Sequence, residues 1–346
     1  MGQVKQVALV GFGMAGRVFH APLISQTEGL ALHTVVSSDQ GKVRAAYPSA
    51  RVCAVAEQAF SDPDIDLVVI ATPNNTHAPL ALAALAHGKH VLIDKPFALD
   101  PAEAQRVIEA ANAAGRVLSV FHNRRWDADF LTLRDLVEAG TLGEVVEFHS
   151  HFDRYRPVVA DRWREHPLPG AGAWCDLGPH LVDQALQLFG PPEAVYADLA
   201  CQREAARVDD YFHVLLRYRR LRVLLHAGAL VAASGLRFAV HGTRASFIKH
   251  GTDSQEAALK RGEIPGSQDW GLDRNPGRLH VPGETGTQVQ ATAGRPGDYL
   301  QFYRGLEAAM RTHAPVPVTP DEALAVMRLL QLAQESAHSG RELPWR

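Results

Sequence analysis

The sequence predicts an α/β protein: a doubly wound parallel sheet at the N-terminus, then a C-terminal α+β domain with a mostly antiparallel, open-faced sheet. Three observations carry that expectation. The chain opens on an apolar run broken by Gly11-x-Gly13-x-x-Gly16. Short apolar runs then alternate with amphipathic helices as far as His122. Beyond residue 145, strand-like runs follow one another with a single strong helix among them, which is the pattern of an antiparallel sheet.

In chain order, Val4–Val10 reads as the first strand and Met14–Ser25 as a helix that Pro22 bends or ends. Ala31–Ser37, Val52–Val55 and Leu67–Ala71 are the next strands, and Thr76–His87 is a helix stopped by Gly88. Val91–Asp94 is a strand. Asp100 caps a helix opening on Pro101 and ended by Gly115, and Val117–Phe121 is the last strand of this series. The 346 residues thus divide at 1–122 and 123–346. After a helix at Ala128–Ala139, Val145–Phe152 alternates: Val145, Glu147, His149 and His151 lie on one face, and Val146, Phe148, Ser150 and Phe152 on the other. Further strands are expected at Val195–Cys201, Tyr211–Tyr218, Val223–Ala227, Phe238–His241 and Ser246–Lys249, with Arg219-Arg220 as a tight turn and Gly178–Phe189 as the helix that interrupts them. Residues 251–297, rich in Gly, Pro and charge, read as loops with one helix at Ser254–Lys260, and helices follow at Tyr299–Thr312 and Asp321–Ser339.

Composition narrows the function. With 35 basic and 38 acidic side chains the net charge is −3, which offers neither a nucleic-acid footprint nor a polybasic membrane patch. Cys53, Cys175 and Cys201 are few and widely spaced, so neither a disulfide framework nor a metal cluster is expected. No apolar stretch is long enough for a bilayer, and the early first strand leaves no room for a signal peptide. A cytoplasmic protein is the simplest expectation.

The glycine loop Gly11-Phe12-Gly13-Met14-Ala15-Gly16 lies between a strand and a helix, the setting of a dinucleotide (Rossmann) site. There Gly11 permits the turn, Gly13 admits the pyrophosphate and Gly16 lets helix and strand approach. A carboxylate for the ribose 2′-OH is expected about 20 residues later, but Ser37-Ser38 stand there, with Lys42 and Arg44 following. Two hydroxyls and a cation suit a 2′-phosphate, so NADP is the favoured cofactor. Asp39 keeps NAD open, unless it only caps a helix. Thr72, Pro73, Asn74 and His77 follow the next strand and should lie along the cofactor, with Asn75 or Thr76 as a helix cap. Asp94-Lys95-Pro96 ends the strand after that, and Pro96 is a candidate for a cis bond. In the second domain Asp176 and His180 are spaced i, i+4 and share a helical face. Histidine is the natural proton acceptor near neutral pH. A buried His bonded to the acid, or half of a metal site, are the other readings of that pair. Asn123, Arg124 and Trp126, and then His151, Asp153, Tyr155, Arg156 and Arg162, are candidate substrate residues, set against the plain alternative of surface charge.

Taken together, these pieces resemble the Gfo/Idh/MocA oxidoreductases over essentially the whole chain. Asp94-Lys95-Pro96-Phe97, the run Ser119–Asp127 and His151–Pro157 place the closer likeness within a bacterial branch of that family. Family members show Glu-Lys-Pro where this chain has Asp94-Lys95-Pro96, and their Asp-x-x-x-His motif falls on Asp176 and His180. The resemblance implies a nucleotide domain followed by a substrate-binding and oligomerisation domain, a homodimer or homotetramer joined through the open sheet face, and hydride exchange between nicotinamide and a sugar, polyol or related compound. Lys95, Asp176 and His180 would be the catalytic residues. An NAD-dependent glycosidase-like enzyme and a non-enzymatic nucleotide-binding regulator use the same apparatus and remain the alternatives.

Overall fold

The computed structural model describes residues 4–233 and 235–345. The chain runs β1 (Lys5–Val10), α1 (Ala21–Ser25), β2 (Leu30–Val36), α2 (Gln40–Ala46), β3 (Arg51–Cys53), α3 (Glu57–Phe60), β4 (Leu67–Ile70), α4 (His77–Ala86), β5 (His90–Ile93), α5 (Pro101–Ala114) and β6 (Leu118–Val120). It continues with α6 (Ala128–Glu138), β7 (Val145–His151), α7 (Ala173–Phe189), β8 (Ala194–Ala200), β9 (Tyr211–Arg217), β10 (Arg222–Gly228), β11 (Leu236–Gly242), β12 (Ser246–His250), α8 (Gln255–Lys260), β13 (Arg278–Gly283), β14 (Gly286–Ala291), α9 (Leu300–Thr312), α10 (Pro320–Ser339) and β15 (Leu343–Pro344).

Two compact units result, and neither is a single stretch of chain. The first holds the chain up to Asn123 together with Gln255–Trp270 and Asp298–Met327; the second holds Arg124–Ser254, Gly271–Gly297 and the chain from Arg328. Gln255–Trp270 and Asp298–Met327 thus return to the first unit after the chain has built part of the second.

The first unit is built on a six-stranded sheet in the order β3-β2-β1-β4-β5-β6, parallel throughout. Continuous apolar runs are what a sheet covered on both faces requires, and Leu67, Val68, Val69 and Ile70 are all fully buried. The caps follow the sequence: Asp100 accepts the Glu103 N–H, Glu103 reaches back to the Leu99 N–H, and Gly115 closes α5 in the left-handed region at φ 60°. Pro22 neither ends nor breaks its helix. A π-helical turn at Gly16–His20 precedes α1, and Pro22 falls in the first turn of α1, where a missing N–H costs little. The returning segments are anchored by polar contacts: Gln255 Oε1 accepts from both Trp270 Nε1 and the Tyr299 N–H, and Ser119 Oγ donates to the Val318 carbonyl.

The second unit carries a nine-stranded sheet, β14-β13-β12-β11-β7-β10-β9-β8-β15, antiparallel except where β7 meets β10. Tyr218 N–H closes the expected turn onto the Leu221 carbonyl. Helix α7 covers one face, with Trp174 edge-on to Phe212 and Phe189 edge-on to Phe148. It begins at Ala173, five residues before the sequence-based start: Gly178 and Pro179 look like a helix opening but sit inside it. Strands β13 and β14 arise from the segment expected to be loops. Every residue of β14 is exposed, so the hydrophobic alternation that reveals a strand is absent there.

Gly16 is the tightest glycine of the first unit, because a Cβ there would lie 2.0 Å from the Gly11 carbonyl oxygen. Gly16→Ala is expected to lower stability by about 1–3 kcal/mol, as measured by urea unfolding. An unchanged midpoint would show that the loop opens freely.

Candidate active site

Because the strands of the first sheet are parallel, the loops after β1, β4 and β5 leave from one edge of that unit. Ligands bind outside the carboxyl ends of such strands, where the strand order reverses, here between β1 and β4. The glycine loop packs on the second of these loops. Gly11 has φ 97°, and a Cβ on it would lie 2.5 Å from the Ala71 carbonyl oxygen. Gly13 is different: nothing lies within 4 Å of the Cβ it lacks. Packing within the protein therefore does not demand a glycine at 13, whereas close approach of a phosphate does, and on this observation the loop fits a dinucleotide. Phe12 is buried edge-on to Tyr47 and acts as core, while Met14 is half exposed.

His77 joins the second and third loops. Its Nδ1 lies 2.8 Å from the Pro96 carbonyl oxygen and its Nε2 3.0 Å from that of Thr72, with the ring 1% exposed. Burial pulls its pKa below the ordinary imidazole value, against the opposing pull of Asp94 and the two carbonyls. A neutral ring has one N–H, so it donates to one of the two carbonyls and packs against the other. His77 thereby ties the loop after β4 to the carbonyl of the residue that follows Lys95. Thr76 stands at the N-cap of α4, but its hydroxyl bonds to Thr72 and to the Pro73 carbonyl rather than to a helical N–H. Asn74 is buried and Pro73 exposed. The Lys95–Pro96 bond is cis. Asp94 Oδ1 accepts the Lys95 N–H at 2.8 Å and lies 3.8 Å from His20 Nε2, whose Nδ1 is 2.6 Å from the Tyr303 hydroxyl. Burial raises the Asp94 carboxyl, but His20, Lys95 and His77 outweigh it and hold the pKa below the usual value. His20 and Tyr303 gave no sign of this in the sequence, since each reads as one more residue on an amphipathic helix.

On the ribose side, Ser37 Oγ accepts the Asp39 N–H and Asp39 caps α2 through the Lys42 N–H. Ser38 and the Lys42 side chain are exposed.

In the second unit, Asp176 and His180 lie one turn apart on α7. Asp176 Oδ1 is 3.3 Å from Arg164 Nε, and His180 is 6% exposed. The start of α7 is fixed by a residue the sequence analysis passed over. Asp209 accepts the Trp174 N–H on its carboxylate at 2.6 Å and the Ala173 N–H on its carbonyl at 2.7 Å. A Cβ on Gly172, at φ 94°, would strike that carboxylate. Phe152, Arg154, Arg156, Arg162, Arg164 and Asp176 line a cleft in this unit. At its wall the buried Arg203 bridges Glu165 at 2.6 Å and Asp210 at 2.7 Å. Burial raises both carboxyls, but their hydrogen bonds, to Arg162 and Arg203 for Glu165 and to Gln202 and Arg203 for Asp210, hold both below the usual range.

The sequence-predicted substrate residues separate by strand periodicity. Arg156 and Arg162 line the cleft, while His151, Asp153 and Tyr155 do not. Residues two apart share a face of an extended chain, so 151 and 153 look away from the face used by 152, 154 and 156. Asn123 and Arg124 are buried. Arg124 Nη1 bonds to Asp127 and its guanidinium lies 4.8 Å from the Phe152 ring centre, Trp126 is partly exposed, and Arg125 makes a buried two-point pair with Asp183.

Residues 5–122 match the family model described as "Oxidoreductase family, NAD-binding Rossmann fold", and residues 134–345 match "Oxidoreductase family, C-terminal alpha/beta domain". The chain is 49% identical to the uncharacterized oxidoreductase YdgJ of Escherichia coli over 96% of both chains. It is 37% identical to scyllo-inositol 2-dehydrogenase (NADP(+)) IolW of Bacillus subtilis, covering 98% of this chain and 95% of that one. Among solved structures, YPO2259 of Yersinia pestis aligns with a TM-score of 0.96 at 47% identity, covering 100% of this chain and 98% of that one. Among the described residues no helix is long and apolar enough to cross a membrane.

Asp209 generates a pH prediction. Burial pushes its carboxyl up to about 6, against the N–H groups it accepts. Its folded pKa lies above the unfolded one, so its contribution favours the fold at low pH and is lost as the pH rises through about 6. Asp209→Asn keeps an acceptor for the Trp174 N–H without the charge. Relative to the native chain it should gain about 1–2 kcal/mol between pH 4 and pH 7.5, read from urea midpoints at the two values. A pH-independent difference would contradict this.

Proposed function

The chain belongs to the Gfo/Idh/MocA oxidoreductase family, and from that premise we propose that it is an NAD(P)-dependent dehydrogenase or reductase acting on the hydroxyl or carbonyl carbon of a sugar, polyol or related small molecule. The observation that carries the reading is Gly13: open space lies where its side chain would be, at the carboxyl edge of a parallel sheet whose loop after β5 carries Lys95. The relative named as an NADP(+)-dependent scyllo-inositol dehydrogenase supports a cyclic polyol as the first substrate to try.

Gly11, Phe12, Gly13, Met14, Ala15 and Gly16 would hold the pyrophosphate by their backbone, with Thr72, Pro73, Asn74 and Asp94 along the rest of the cofactor. Bound nicotinamide supplies the hydride acceptor or donor. Lys95 donates a hydrogen bond to the substrate oxygen, and its charge favours the alkoxide that forms there. His180 takes the hydroxyl proton in oxidation and returns it in reduction. Asp176 orients the substrate or His180. Arg156, Arg162 and Arg164 give the cleft a surface that suits hydroxyl-rich or acidic groups. Since Asp39 is committed to capping α2, Ser38 and Lys42 are left to meet a 2′-phosphate, and we favour NADP. We further propose a cytoplasmic homodimer or homotetramer joined through the sheet face of the second unit away from α7.

A panel of inositols, sugars, sugar acids and small carbonyls with NADP(H) and NAD(H), followed at the reduced-nicotinamide absorbance, tests the class. His180→Ala should lose roughly 10²–10⁴-fold in kcat and Lys95→Ala a comparable amount, with cofactor affinity nearly unchanged. Full activity in either variant removes that residue from the chemistry. Lys42→Ala should weaken NADP binding about 3- to 10-fold and leave NAD unaffected, by fluorescence titration. Equal loss for both cofactors would deny a 2′-phosphate contact.

A further inference from the structure

The sheet face of the second unit opposite α7 carries histidines on three strands: His149 and His151 on β7, His213 on β9 and His226 on β10. The parallel register of β7 and β10 pairs His151 directly with His226. Beyond β7 the ladder continues, since the Phe152 N–H meets the His226 carbonyl and the Arg154 N–H meets that of Gly228. The chain is therefore still extended at residue 153, and Asp153 returns to the face of His151. The Gly228 N–H holds its carboxylate, donating to Oδ1 at 3.1 Å. The carboxylate ends up between two imidazoles: His151 Nδ1 is 3.2 Å from Oδ2, and His226 Nε2 is 3.3 Å from Oδ1.

We propose that His151 Nδ1, His226 Nε2 and the Asp153 carboxylate form a binding site for a divalent transition-metal ion of the zinc class. The three donors lie within 4.8 Å of one another. Ligands about 2.0–2.1 Å from a tetrahedral ion are roughly 3.3 Å apart; each imidazole nitrogen lies at about that distance from one oxygen of the Asp153 carboxylate, His151 Nδ1 from Oδ2 and His226 Nε2 from Oδ1, so a small rotation of the carboxylate brings one oxygen between the two rings. Two imidazoles and one carboxylate select zinc, cobalt or nickel over magnesium or calcium, which prefer oxygen alone. Imidazole ligates in its neutral form. In a single chain the side chains of His151, Asp153 and His226 are 18%, 8% and 15% exposed, so most of their surface is covered within one copy. His151 Nε2 and His226 Nδ1 are buried without hydrogen-bond partners. Their outer nitrogens therefore give the rings no second-partner support, which favours a moderate affinity. An ion held here ties β7 to β10 and stabilises the fold by mass action. Sequence spacing gives no hint of the site, because strand pairing joins positions 151 and 226.

The test uses the untagged full-length chain, stripped with a chelator and titrated with Co²⁺. One Co²⁺ per chain, with the visible absorption of a low-coordinate cobalt ion displaced by Zn²⁺ and not by Mg²⁺, supports the site. His151→Ala and His226→Ala should each weaken binding roughly 100-fold or more, and Asp153→Asn, which keeps an acceptor for the Gly228 N–H, should weaken it at least roughly 10-fold. His180→Ala, in the proposed catalytic pair, should bind Co²⁺ like the native chain. Absence of saturable binding to the native chain overturns the proposal, and so does binding that survives His226→Ala or disappears in His180→Ala.

Discussion

Two close backbone approaches fix the nucleotide edge of the first unit. The Gly11 carbonyl lies against Gly16, and the Ala71 carbonyl against Gly11, each at a distance that excludes a side chain. Strand β1, the helix after it and the loop after β4 are thereby locked together, and Gly13 is left facing open space. His77 extends the lock to a third loop through the Thr72 and Pro96 carbonyls, and Asp94 fixes the backbone N–H of Lys95. The backbone at Lys95 and Pro96 is thus held from both sides, by a buried ring and by a partly buried carboxylate.

The second unit reaches the same end differently. Helix α7 begins on a glycine in the left-handed region, and a carboxylate from a distant part of the chain caps it. Asp209 therefore stands to Asp176 and His180 as His77 stands to Lys95: it touches the backbone that carries them. In the cleft beside α7, Arg203 gathers Glu165 and Asp210, holding the loop with Arg162 and Arg164 against the sheet.

What could be read from the sequence follows the physics of each element. Strands buried on both faces announce themselves as unbroken apolar runs, so Leu67–Ile70 and the run Val91-Leu92-Ile93 are legible, as are Asp100, Pro101 and Gly115, whose residue types are dictated by cap geometry. Strand β14 is not, because a fully exposed strand has no hydrophobic alternation. Nor is the return of Gln255–Trp270 and Asp298–Met327 to the first unit, since an apolar stripe shows that a helix packs but not on which sheet. The alternation of β7 continues past Phe152, so His151 and Asp153 share one face while Arg154 and Arg156 lie on the other, a continuation that polar side chains do not advertise. Features made by strand pairing or by chain return, such as the His151–Asp153–His226 group and the His20–Tyr303 contact, have no local signature at all.

The central claim is that this chain moves a hydride between nicotinamide and a substrate carbon with the help of Lys95. The most direct measurement is isotope transfer. With NADPH carrying two deuterons at C4 of the nicotinamide and a keto-polyol as substrate, the account predicts one deuterium in each product molecule by mass spectrometry, with the rate of transfer sharply reduced in Lys95→Ala. Product formed without the label, or with the label at an undiminished rate in Lys95→Ala, would contradict it.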